Sequence, residues 1–190
     1  MNVAVFCGSS PGLDQAHVRE ARALGKLLAA RGHRLVYGGG RVGLMGALAD
    51  AALEGGAEVV GVIPRFIEAR EVAHTSLTEL VVVESMHERK AKVSELADGF
   101  LVLGGGFGTL DELFEILSWK QLGLHDRPIV VANVGGAWDA LERLLRDVVR
   151  SGFARPAHLE LVAFASTAES ALDGLEHAPK LSGSVASKLG

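Results

Sequence analysis

Cysteine is nearly absent from this chain of 190 residues: Cys7 stands alone, so no intrachain disulfide and no cysteine metal cluster can form. The seven histidines contain no HxxxH pair, which removes the usual helical zinc pattern. No GxxxxGK[ST] run is found, so a P-loop ATPase is excluded. Prolines number only 5 and aromatic residues make up 5%, and there is no Gly-X-Y period, so collagen-like and low-complexity readings fail. Positive charge is not in excess. Lys and Arg total 19 against 23 Asp and Glu, a net charge of −4, which argues against nonspecific nucleic-acid binding. Nowhere do 18 apolar residues run together, and residues 1–6 read as a strand rather than a leader, so a cytoplasmic protein is expected. No metal or organic cofactor is expected.

Glycine, by contrast, is abundant: 24 residues, nearly twice the average share of about 7%. The glycines cluster, and the clusters have an order. Apolar runs near 2–6, 34–37, 58–63, 79–83, 99–103, 128–133 and 160–164 alternate with helical patterns near 14–31, 43–55, 86–97, 109–122, 137–151 and 167–176. Runs such as Val59-Val60-Gly61-Val62-Ile63 suit strands covered on both faces. The alternation predicts a single doubly wound, Rossmann-like α/β domain over 1–177, with a mostly parallel sheet of about seven strands and a weakly ordered tail over 178–190. Ligands in such folds sit at the carboxyl ends of the strands. Cys7-Gly8-Ser9-Ser10, Gly38-Gly39-Gly40 and Gly104 through Thr109 each follow a strand there.

Each motif has a plain reading beside a functional one. Gly38 through Gly43 fits GxGxxG, but it follows the second strand. The acid about 20 positions on, Glu58, precedes the next strand, where a ribose-binding acid would follow it. A nicotinamide dinucleotide is therefore disfavoured. The loop from Gly105 to Thr109 can bring backbone amides to a phosphate at a helix N-terminus. Thr109 and Glu112 have capping-box spacing, the plain reading; Glu112 facing a ligand is the functional one. Leu110, Leu113, Phe114 and Leu117 are expected to form that helix's core stripe, with Glu112 and Glu115 sharing another face. Ser85 and Glu88 repeat the capping-box spacing. Arg89 and Lys90 then lie close to a positive helix end, so they are either solvated surface charges or partners of an anion such as Glu112 or a phosphate. Cys7 reads as a buried small residue at a strand end rather than a nucleophile.

These motifs together resemble the LOG ("lonely guy") family of cytokinin riboside 5'-monophosphate phosphoribohydrolases, many of whose members carry a legacy lysine decarboxylase label. The resemblance spans about residues 2–176. It rests on CGSS at 7–10, YGGG at 37–40, VGLMG at 42–46, GVIP at 61–64, REV at 70–72, MHERK at 86–90, GGFGTLDE at 105–112 and QLGLHD at 121–126, with VASK at 185–188 similar to the tail of some members. It implies hydrolysis of the N-glycosidic bond of a nucleoside 5'-monophosphate, with Arg89 and Glu112 catalytic. Glu71, Lys90, Gly105, Gly106, Phe107, Gly108, Thr109, Leu110, Asp111 and Ser118 are implied as substrate contacts, and a homodimer as the assembly. Gly104 stands where the family usually has proline, Asp111 where glutamate is common and Ser118 where threonine is common. The competing functions are a nucleotide-binding carrier without chemistry, a general nucleotide nucleosidase, and a pyridoxal-phosphate decarboxylase. The last needs a Schiff-base lysine, and only Lys90 lies near the expected site.

Overall fold

A computed structural model describes residues 1–68 and 73–178. Glu71, the REV run at 70–72 and the tail from 179 lie outside the described residues. Seven strands, β1 (Asn2–Phe6), β2 (Arg34–Tyr37), β3 (Val59–Pro64), β4 (Glu79–Val83), β5 (Gly99–Val102), β6 (Ile129–Ala132) and β7 (Ala163–Ala165), form one sheet in the order β4-β3-β2-β1-β5-β6-β7. Every strand pairing is parallel.

Alternation along the strands builds two cores. Val3 and Val5 join one apolar cluster and Ala4 and Phe6 the other, as the two-residue period of a strand requires. The first cluster is closed by α1 (Gln15–Ala30), α2 (Gly43–Glu54) and α7 (Ala168–Glu176); the second by α4 (Met86–Leu96), α5 (Phe107–Gln121) and α6 (Asp139–Arg150). In α1, Ala21, Leu24 and Leu28 form the buried stripe, and Asp14 caps the helix by accepting from the Ala16 N–H. No described helix is long and apolar enough to cross a membrane.

Two local expectations are corrected. A 3-10 helix over Pro156–Leu161 takes the start of the expected last strand, because Pro156 fixes a helical φ there; β7 is left with three residues. Directly after β3 comes a short helix, α3 (Arg65–Glu68). The buried stripe of α5 runs through Thr109, Glu112, Leu113, Ile116 and Lys120. It leaves Phe114 exposed, and Leu110 and Leu117 only partly buried.

The chain winds from β1 out to β4 and then returns to place β5 on the other side of β1. That reversal opens a crevice at the carboxyl ends of β1 and β5, and the glycine loops converge on it.

Candidate active site

Helix α5 starts two residues earlier than its spacing suggests. Gly106, extended at φ −106° and ψ −151°, is the N-cap and supplies no side-chain cap. Thr109 is therefore the third helical residue, buried, and Glu112 is free of any capping role. The capping-box reading of this pair is overturned. The first amides of the helix, from Phe107 to Thr109, have no intrahelical acceptor. A Cβ on Gly105 would stand 2.1 Å from Thr109 Oγ1, so only glycine lets the loop fold back so closely. On α4, Ser85 does cap, accepting from the Glu88 N–H at 3.1 Å, while Glu88 reaches back to the Glu84 N–H at 3.0 Å.

Arg89 comes from the second turn of α4 and Glu112 from the second turn of α5. They meet with Arg89 Nη1 donating to Glu112 Oε1 at 2.7 Å, and their side chains are only 13% and 9% exposed. The guanidinium also donates through Nε to the Val62 carbonyl at 3.1 Å. It crosses the bare backbone of Gly38, where a Cβ would lie 2.3 Å from Nη2. Burial raises the Glu112 carboxyl above the usual carboxylate range, and the neighbouring Arg89 charge and hydrogen bond only partly offset it. Burial, followed by the Glu112 charge, pushes the Cys7 thiol far up, which leaves it an inert wall residue.

These groups floor a cleft of about 340 Å³. One wall is apolar: Met45, Ile63, Pro64, Ile67 and Met86; the other is the glycine loop with Gly106, Phe107, Gly108 and Thr109. Six of the expected site residues thus share one cleft: Arg89, Glu112, Gly106, Phe107, Gly108 and Thr109. Gly105 packs behind them against Gly8. Lys90 does not line the cleft. Its Nζ pairs with Glu115 at 3.0 Å and Asp111 at 3.2 Å, and these bonds hold the ammonium above its ordinary range although burial pulls it down. Leu110, Asp111 and Ser118 also lie outside the cleft. Sequence reasoning put the Gly38 loop on the ligand edge but passed over its contact with Arg89, the Val62 carbonyl and the apolar wall; the GVIP run at a strand's carboxyl end was the available signal. Gly43 serves packing: at φ +62° its Cβ would fall 2.3 Å from the Ser9 backbone.

A family model described as possible lysine decarboxylase matches residues 45–175. Two curated relatives, both named cytokinin riboside 5'-monophosphate phosphoribohydrolase, align over nearly the whole chain. That of Rhodococcoides fascians is 45% identical, covering 90% of this chain and 87% of its own. That of Arabidopsis thaliana is 40% identical, covering 98% and 87%. The chain belongs to the LOG family. Among solved structures, the molybdenum cofactor carrier protein of Chlamydomonas reinhardtii superposes with a TM-score of 0.71 over 92% of this chain and 95% of that one; at 20% identity it shares the LOG fold. The decarboxylase label implies pyridoxal phosphate, and the residues do not fit it. None of the described lysines lines this LOG cleft, and Lys90, the nearest candidate, is engaged by two carboxylates.

Proposed function

We propose that the chain hydrolyses the N-glycosidic bond of cytokinin riboside 5'-monophosphates, and of AMP, releasing the free N6-modified adenine or adenine and ribose 5-phosphate. The observation that carries this reading is the buried Arg89–Glu112 pair set beside an uncapped helix N-terminus in one cleft. The relatives' names give the reaction and the cleft supplies its parts. The amides of Phe107, Gly108 and Thr109 receive the 5'-phosphate, aided by the helix dipole. The ribose then lies over Glu112, and the base meets the apolar wall.

As the C1'–N9 bond breaks, its electron pair leaves with the base and positive charge builds on the sugar. The Glu112 carboxylate stabilises that charge and orients the water that adds to C1'; the water's proton balances the departing base. Arg89 fixes the carboxylate and the nucleotide together. The apolar wall at Met45, Ile63 and Met86 suits an alkyl substituent on the base.

Phe114 and Ser118, four residues apart, lie on the outer side of α5, and Phe114, Leu122 and Leu124 are exposed. We propose that two copies pair across this face, so that the outer residues of one α5 serve the partner's cleft.

The test is mass-spectrometric detection of base and ribose 5-phosphate from AMP and from isopentenyladenosine monophosphate, with the nucleosides as controls. Release from the monophosphates alone supports the reading, and the ratio of rates separates cytokinin activation from general nucleotide cleavage. Binding without release would favour a nucleotide carrier.

A further inference from the structure

A second and larger cleft, about 560 Å³, opens on the other side of the glycine loop. Its walls come from the β1–α1 loop, from His17 and Leu44, from Gly104 to Gly106, and from Ala137 and Trp138 ahead of α6. Gly8, Ser9 and Gly106 are common to both clefts. The divider is the contact in which the Gly8 N–H donates to the Gly104 carbonyl at 2.9 Å. The N-terminus of α5, where the 5'-phosphate is placed above, therefore stands between two chambers of the same crevice.

The second chamber has a definite chemistry. Pro11, Leu13, Leu44, Ala137 and Trp138 make it largely apolar, and Leu13 is 104% exposed beside it, an apolar side chain with nothing packed on it. Among the described residues, Asp14 and His17 are its only titratable wall groups, so these supply no cluster of cations for a chain of further phosphates. Trp138 is more than nine-tenths buried, and among the described residues its indole N–H has no partner, nor has His17 Nδ1; both nitrogens are buried within the chamber's wall. An apolar chamber walled by an indole ring, next to an anion position, matches a planar heteroaromatic group joined through phosphate.

We infer that the second cleft binds the distal half of a dinucleotide, a nucleotide whose 5'-phosphate is joined through a second phosphate to another base-bearing group, while its proximal half lies in the Arg89–Glu112 cleft. This rests on the phosphate placement of the proposed function. It is a ligand site at the β1–β5 reversal.

Diadenosine diphosphate is the probe, with ADP-ribose, which lacks the second base, as the control. In the AMP-cleavage assay, diadenosine diphosphate should compete with AMP about tenfold more tightly than ADP-ribose, the increment expected for seating one base. Ala137→Trp, which fills the chamber, and Leu13→Asp, which alters a fully exposed side chain, should each remove that advantage while kcat and KM for AMP stay within about twofold. Equal inhibition by the two compounds, or inhibition unchanged in both variants, would overturn the inference. If AMP is not cleaved at all, the proposed function fails, and the chamber is read separately. In Trp119→Phe the only remaining tryptophan is Trp138, whose fluorescence should change with diadenosine diphosphate and not with ADP-ribose. No such difference at millimolar ligand would again overturn it.

Discussion

Glu112 concentrates the chemistry in one carboxyl group, and its environment makes two measurable demands. Its folded-state pKa is raised by burial. The carboxylate is the active form in the proposed reaction, so kcat should fall on the acid side at a pH above the ordinary glutamate range. Glu112→Gln should erase that acid limb and lower kcat by about 10²–10⁴-fold, the usual size of an acid–base contribution; unchanged turnover would remove Glu112 from the mechanism. The stability sign follows from the same shift. A carboxyl with a raised folded pKa contributes stability below its unfolded pKa and loses it as pH rises through the folded value, and the glutamine variant should lack that loss in a pH series of melting curves. Cys7 makes the opposite demand. Buried, with its thiol pushed up, it should resist iodoacetamide in the native protein at pH 8 and react only after unfolding.

Elements, rather than single residues, decide where those groups point. Gly38 follows β2 under the Arg89 guanidinium, whose Nη2 would stand 2.3 Å from a Cβ there. Gly38→Ala should displace the flexible tip of Arg89 at little cost in melting temperature yet reduce kcat by up to about 10²-fold, the penalty of misplacing a reacting group by about 1 Å. Gly104 tests a second contact. A Cβ there would stand 3.0 Å from His17 Nδ1, so Gly104→Pro, the residue usual in the family, should lower the melting temperature in the natural background and be tolerated with His17→Ala. The order of elements was legible because both-face burial and glycine at strand ends leave local signatures, as in Val59–Ile63 and Gly38–Gly40. The rotation of α5 was not legible. Leu110, Phe114 and Leu117 carry the period that Thr109, Leu113 and Ile116 also carry, and only the early start at Gly106 decides which stripe turns inward. Arg89 and Glu112 could be nominated from the sequence, but their contact depends on two helices brought together on one face of the sheet. The apolar wall from Met45 to Met86 is assembled from four elements, and only its GVIP run at the end of β3 leaves a linear signature.

At the scale of the whole molecule, the outer face of α5 makes assembly testable. With Phe114, Leu122 and Leu124 exposed, Phe114→Glu should convert a dimer into monomers by light scattering and depress turnover if the partner completes the cleft; a monomeric parent protein would dismiss the pairing. The sheet order has a consequence in time as well. β1 is the middle strand, and its second neighbour is β5, at Gly99–Val102, nearly a hundred residues downstream. A growing or refolding chain can close β1 to β4 first, leaving one edge of the central strand bare until β5 arrives, and such distant parallel pairings are slow to form. Neither cleft exists before that moment. On dilution from denaturant, recovery of turnover should therefore trail recovery of helical circular dichroism, and a chaperone that masks strand edges should raise the yield most when added in that interval.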